Sequence, residues 1–562
     1  MGDPVAELRS AVEAAADTLL DGPHQTGRSS ASPAERPPIN RSEPSLERPP
    51  KPEFGDYSTN AAMLLAPALG QQPRGTAEKL AERLGRSLAG SVERVEVAGP
   101  GFLNLYLSDA WYRRAAGELA AQGERLGRPA LPDEEIAERI NVEFVSANPT
   151  GPVTAAGGRG AALGDSIARV LEFVGHPVVR EYYVNDRGGQ VELFAASIAA
   201  RMKGKPVPEG AYEGDYVVEL GRSLEQEGVD PEDLGAVARR GVALMVAAAE
   251  ETLDRYRVVF DTWTSEQALH ESGAVERALA EARAAGYVYE SEGATWLRTT
   301  TFLDDKDRVL IRSDGDSTYF LSDIAYHREK LDRGSDRLID VLGADHHGYV
   351  ERLRAGLAAL GYDPNALEVA IMQLVHVVEG GERAQMSKRR GEFVTLDELI
   401  DDIGTDAARF FMLQRSHDTT VDLDLELARK TSNENPVYYV QYAHARIASI
   451  LRKAGEGAEE RAAAADFGAA EGPVEPSERA LIKRLCELPD EVAATAARRA
   501  PHRLCAYAME VARDFHAFYR DCQVIGAEGT GVEESRLGLS VLTKRTIART
   551  LGLLGISAPE RM

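Results

Sequence analysis

The chain has 562 residues, and 65 Lys and Arg against 90 Asp and Glu leave a net charge of −25. Hydrophobic residues make up 43 %, enough for buried cores, and the length predicts roughly three or four domains of about 150 residues. Such acidity excludes a protein that coats nucleic acid through a uniformly basic face, but leaves room for a local basic site. Cys486, Cys505 and Cys522 show no CxxC spacing, so neither a disulfide framework nor a zinc site is indicated, and no structural metal is expected. The chain lacks a basic leader and any apolar run approaching about 18 residues, which predicts a soluble, cytoplasmic protein that does not meet a membrane.

In chain order, residues 5–20 carry apolar groups at helical spacing. The Pro-, Ser- and Arg-rich stretch 22–50 has too little apolar surface to order itself and reads as a flexible connection. A helix over 76–88 and strands over 92–97 and 102–107 follow, the strands parted by Gly99-Pro-Gly101. Residues 139–145 form a β-branched run suited to a buried parallel strand. The loop Ser146-Ala-Asn-Pro-Thr-Gly-Pro152 leads into a helix that ends at Gly175, and residues 178–184 read as the next strand. Strand, loop, helix and strand make a βαβ unit, the mark of a Rossmann-like domain. Residues 191–285 read as a helical, acidic insertion into it. Strand signals resume at 338–341 and 368–374, around the loop Gly343-Ala-Asp-His-His-Gly348 and a helix at 349–360. Beyond Asp424 the pattern is helical to the end.

Three constellations carry chemistry. The first is Glu143, Asn148 and the Gly157-Gly158-Arg159-Gly160 opening of a helix, where amides and the helix dipole could meet a phosphate. There is no GxGxxG and no GxxxxGK[ST], so dinucleotide and Walker-type binding are not indicated. The second is Gln385-Met-Ser-Lys388 with Arg389 and Arg390, a cationic loop suited to a polyphosphate. The third joins Tyr319 and Asp323, which share a helix face at i, i+4 and could hold a cationic side chain, to the pair His346-His347.

The strings Val142-Glu-Phe-Val-Ser-Ala-Asn-Pro-Thr-Gly-Pro152, Glu181-Tyr-Tyr-Val-Asn-Asp186, Gly343-Ala-Asp-His-His-Gly-Tyr349, Met386-Ser-Lys388 and Asp406-Ala-Ala-Arg409 closely resemble the arginyl-tRNA synthetases, a class I aminoacyl-tRNA synthetase family. So do Ser432–Arg446 and the terminal Ala558-Pro-Glu-Arg-Met562, and the resemblance spans nearly the whole chain except 22–50. It implies an α/β multidomain fold: a Rossmann-like parallel-sheet catalytic domain with a helical insertion, a small α+β N-terminal domain, and an all-α C-terminal anticodon-binding domain. The corresponding divisions are 1–115, 116–395 with the insertion at about 191–285, a connecting stem at 396–430, and 431–562. The implied activity joins L-arginine to tRNA(Arg) through an arginyl-adenylate, with ATP accompanied by Mg2+ as substrate and the chain acting as a monomer.

Carried onto matching positions, the resemblance makes Glu143 and Asp323 carboxylate partners of the arginine guanidinium, with Tyr319 packed beside it. Ser146, Ala147 and Asn148 would hold the α-amino and carboxylate groups, with His347 nearby. Thr154, Gly157, Gly158, Gly343, Asp345, His346 and Met386 would line the ATP site, and Lys388 with Ser387 would neutralise the leaving pyrophosphate. Phe102 and Asn104 would meet the outer corner of the tRNA, and Tyr442 and Arg446 its anticodon. One departure stands out. The family's first signature carries two histidines after the Asn-Pro-Thr-Gly-Pro loop, where this chain has Thr154-Ala155-Ala156-Gly157. Either the Thr154 hydroxyl, the amides of Gly157 and Gly158, or an imidazole such as His346 replaces them, or the chain is a synthetase-derived paralogue that binds tRNA and arginine with weak or no ligation.

Overall fold

The computed structural model describes residues 3–20, 45–49, 51–129, 137–302, 304–383 and 394–562. The N-terminal unit begins with α1 (Pro4–Leu20) and then contains β1 (Leu46–Glu47), β2 (Tyr57–Thr59), α2 (Ala61–Leu69), α3 (Pro73–Ser87), β3 (Val92–Ala98) and β4 (Phe102–Leu107). Its four strands form an antiparallel sheet in the order β1-β2-β4-β3. Leu103, Leu105 and Leu107 alternate along β4 toward the helices and are fully buried, which is why this sheet folds with one covered face. The expected boundary at 115 falls inside α4 (Asp109–Ala121), a continuous helix whose Trp111 and Tyr112 are buried beside Tyr57 and Asp56. That helix packs against both the N-terminal core and the C-terminal helices.

The second unit is built on a five-stranded parallel sheet in the order β12-β11-β5-β6-β7. Its strands are β5 (Ile140–Glu143), β6 (Val178–Val184), β7 (Thr262–Ser265), β11 (Arg337–Gly343) and β12 (Leu367–Met372). Between β5 and β6 runs α5 (Ala155–Val174), fixed at its start by the Thr154 cap and at its end by left-handed Gly175. α6 (Gly189–Met202), α7 (Asp215–Gln226) and α8 (Leu234–Arg255) make the expected helical insertion. The insertion ends earlier than expected, because Thr262–Ser265 returns to pair with β6 as the edge strand of the main sheet. A four-residue strand beside acidic helices carries too weak a period to stand out. α9 (Glu266–Glu271), α10 (Ala274–Ala284) and the antiparallel trio β8 (Val288–Ser291), β9 (Ala294–Leu297) and β10 (Arg308–Ile311) lead to α11 (Tyr319–Asp332). After β11, α12 (Val350–Ala359) crosses to β12, and β13 (Val375–Glu379) and β14 (Glu382–Arg383) follow.

α13 (Leu396–Leu413), bent at Gly404 with φ 76°, and β15 (Val421–Asp424) connect to the helical C-terminal unit. That unit contains α14 (Leu425–Ala428), α15 (Pro436–Lys453), α16 (Ala458–Ala463), α17 (Pro476–Cys486), α18 (Leu488–Arg498), α19 (His502–Asp521) and α20 (Val532–Leu553). All three cysteines are buried and free within it. It also grips the N-terminal unit: Lys483 donates to Asp56 at 2.7 Å, and Arg479 to Asp109 at 2.7 Å. Among the described residues no helix is long and apolar enough to cross a membrane.

Candidate active site

A cavity of about 510 Å³ opens at the C-terminal ends of β5, β6 and β11. β5 and β11 are neighbours whose chains depart in different directions, and ligands of open α/β sheets bind at such a switch point. Its walls include Glu143, Ser146, Asn148, Glu266, Tyr319 and Asp323, and Gly343 and His346 stand on the β11 side. A larger groove of about 1190 Å³ lies between α6, α8 and the β7–α9 corner. Glu192, Glu250 and Glu271 stand at that groove, but none of them is buried, which makes the smaller cavity the better candidate.

The floor is a row of acids. Sheet register sets Asp340 of β11 beside Glu143 of β5, and Glu143 beside Glu181 of β6. All three are buried, and α11 supplies their counter-charges. Lys330 Nζ, fully buried, contacts Glu143 Oε2 and lies 3.2 Å from Asp340 Oδ1. It also sits 4.4 Å above the Tyr326 ring. Arg333 donates to both oxygens of Glu181 at 2.8 Å. His327 places Nε2 2.6 Å from Asp340 Oδ2 and Nδ1 2.7 Å from the carbonyl of Asp323. Both ring nitrogens face acceptors, so both carry protons, in line with a pKa that Asp340 holds above the usual histidine value against the effect of burial. Burial would raise Asp340, yet Lys330 and His327 hold its carboxyl well below the usual range. Glu143, His327 and Asp340 converge as metal ligands do, but the Lys330 ammonium already bridges the two carboxylates.

The walls present charge to the cavity. Asp323 accepts a hydrogen bond from the Tyr349 hydroxyl, and burial lifts its pKa to about 6 even against that bond. Glu266, the first residue of α9, is buried, and its Oε2 has no hydrogen-bond partner among the described residues. Burial, with Asp323 nearby, raises Glu266 to about 7. Tyr319 opens α11 at 60 % exposure with its hydroxyl close to Gly188, across the cavity mouth. Two residues with positive φ, Val145 at 70° and Ser146 at 38°, turn the chain after β5. The bend is held by Ser146 Oγ, which donates to Glu143 Oε1 at 2.8 Å and accepts from Tyr183 N at 3.1 Å. Ala147 exchanges bonds with the Tyr182 hydroxyl, and Asn148 donates to Gln190 at 2.5 Å.

Several sequence expectations take a different form here. Glu143 is engaged by Lys330 and Ser146 through its two oxygens, so it is braced from below rather than a free acid awaiting a cation. The donors expected at the start of α5 are committed within the helix cap. Gly157 N donates to Thr154 Oγ at 3.1 Å and Gly158 N to the Thr154 carbonyl at 3.0 Å, as an N-cap requires. A Cβ on Gly158 would lie 2.7 Å from Leu396 Cδ1, so this glycine serves the close approach of α5 to α13. Arg159 is also structural, donating to the carbonyls of Gln373, Ser416 and Thr419 at 2.8–2.9 Å. Asn104 is buried and accepts from Ser58 at 3.0 Å, whereas Phe102, 41 % exposed, is available at the surface. Tyr442 and Arg446 do form a surface group: Arg446 donates to the Tyr442 hydroxyl at 2.7 Å and lies over the Tyr442 and Tyr519 rings. Lys544, clustered in sequence with Arg545 and Arg549, is buried against Glu459 and Glu560. Met386, Ser387 and Lys388, and the side chains of Asp345 and His347, lie outside the described residues.

Comparison with known proteins assigns the three units in turn. An "Arginyl tRNA synthetase N terminal domain" model matches residues 7–107. A "tRNA synthetases class I (R), catalytic domain" model matches 130–449, more than half of the chain. The chain belongs to the arginyl-tRNA synthetase family. A "DALR anticodon binding domain" model covers 440–562. The arginine–tRNA ligase of Bacillus subtilis is 44 % identical over 529 residues, covering 92 % of this chain and 94 % of the relative. That of Heliobacterium modesticaldum is 42 % identical over 576 residues, covering 99 % and 100 %. Among solved structures, the Thermus thermophilus arginyl-tRNA synthetase superposes with a TM-score of 0.73 at 26 % identity, covering 99 % of each chain.

Proposed function

We propose that the chain is an arginine–tRNA ligase and that the acid-walled cavity receives L-arginine. The observation that carries this reading is a pair of carboxylates, the buried Glu266 and the half-buried Asp323, facing one cavity, with Glu266 Oε2 left without a partner among the described residues. A permanently charged, forked guanidinium answers both acids at once, which a single-point ammonium does less well. Tyr319 would cover the planar group, and the braced bend would present Asn148 to the α-amino end. The α-carboxylate, at the Gly343 and His346 side, would attack the α-phosphorus of ATP. The new bond is a mixed anhydride; the bond broken releases pyrophosphate, with Mg2+ and Lys388 offsetting its charge. A ribose hydroxyl at the tRNA terminus then attacks the anhydride carbonyl, giving the ester and AMP. Catalysis of this kind is chiefly positioning and electrostatic stabilisation.

Phe102 at one end and the Tyr442–Arg446–Tyr519 group at the other are suited to stack on or pair with the tRNA. With the Gly157 and Gly158 amides committed, the parts of the missing signature imidazoles fall to the Thr154 hydroxyl proton and to His346. The test is arginine-dependent ATP–pyrophosphate exchange and aminoacylation with the cognate tRNA present. Activity with arginine and none with citrulline, its neutral isostere, is expected. Silence with arginine and tRNA together refutes the ligase reading and favours the binding-only paralogue.

A further inference from the structure

We infer that Lys330 is a positioning residue for L-arginine, acting through Glu143 and the bend at Ser146; this rests on the cavity being the arginine site. Three carboxylates stand side by side on adjacent parallel strands, and like charges so placed in a dry interior repel strongly. Each has its own answer on α11 or at its C-cap. Glu181 has Arg333, and Asp340 has His327 and a share of Lys330. Lys330 is the one cation in ion-pair contact with Glu143 among the described residues. The other Glu143 oxygen accepts the Ser146 hydroxyl, and that hydroxyl oxygen accepts Tyr183 N. A continuous line therefore runs from the buried ammonium to Glu143, to Ser146, and to the two positive-φ residues that aim Asn148 at the cavity. Without the ammonium, Glu143 would face Asp340 uncompensated and turn away. The Ser146–Glu143 bond would be lost with it, and the strained bend would be held only by the Tyr183–Ser146 and Ala147–Tyr182 bonds.

Lys330→Met keeps the length of the stem and removes the charge. In tRNA-dependent pyrophosphate exchange, the KM for arginine is expected to rise about 10- to 100-fold, the scale of one lost charged hydrogen bond, while the KM for ATP moves less than about threefold. Glu143→Gln is measured beside it. If Glu143→Gln leaves the arginine KM unchanged while Asp323→Ala raises it, the line through Glu143 fails; if neither changes it, the assignment of the cavity to arginine fails. If Glu143→Gln raises it and Lys330→Met does not, the role of Lys330 fails alone. Should Lys330→Met not fold, the double variant Lys330→Met/Glu143→Gln, which buries one charge fewer, is compared with Glu143→Gln. Equal arginine KM values in those two support action through Glu143; a further rise of about tenfold overturns it.

Discussion

The floor of the cavity and the start of α5 are built on opposite principles. At the floor of the cavity, acids from three strands are each answered by a cation from one helix, so charge is concentrated and held rigid. At the start of α5, about where the resemblance places the triphosphate, backbone donors are spent within the helix and the glycines serve packing. On the proposed reading, amino-acid recognition is wired into the buried core, where each element fixes its neighbour. The floor should be sensitive to single charge changes, the start of α5 to volume.

Four changes break or sharpen that contrast. Asp323→Ala should have the largest effect, raising the arginine KM about 100-fold with little change in the KM for ATP, because a charge partner of the guanidinium is lost. Gly158→Ala drives a methyl into Leu396 and should lower stability by about 1–3 kcal/mol in denaturant unfolding; Leu396→Ala in the same chain should recover part of it. Glu266→Gln should raise the arginine KM about tenfold and flatten its pH dependence. That dependence has a definite sign. A guanidinium binds the ionised carboxyls, Asp323 titrates at about 6 and Glu266 at about 7, so the wild-type KM for arginine should fall as pH rises from 5.5 to 7.5 and level off above. A flat profile in the wild-type chain would remove both acids from recognition. Thr154→Val should cost about 1 kcal/mol of stability through loss of the cap, slow pyrophosphate exchange through loss of the hydroxyl donor, and leave the arginine KM alone.

The strands and the i, i+4 pair on α11 were legible because their periods are long or strongly apolar. The same helix face continues through His327 and Lys330, and Asp340 is a charge in an otherwise apolar strand. Their roles are not legible in the sequence, because a single helix face does not reveal which strand it lies upon. Glu266 was hidden for another reason. Its strand β7 is four residues long and follows a helical insertion, and only sheet pairing brings it to the cavity. The glycines at 157–158 illustrate the reverse error. A glycine-rich helix start is the same string whether it admits a phosphate or a neighbouring helix, and only Leu396 distinguishes the two.

α11 carries Tyr319 and Asp323 on the wall and His327 and Lys330 beneath the floor, with Arg333 at its C-cap, so one helix holds both the proposed reader of the side chain and the ballast under it. Retargeting such a pocket to a neutral amino acid is therefore a rewiring problem rather than a point edit. Replacing Asp323 alone would leave the protonated His327, Lys330 and the acids beneath them in place, and a new specificity would have to be designed from the floor upward.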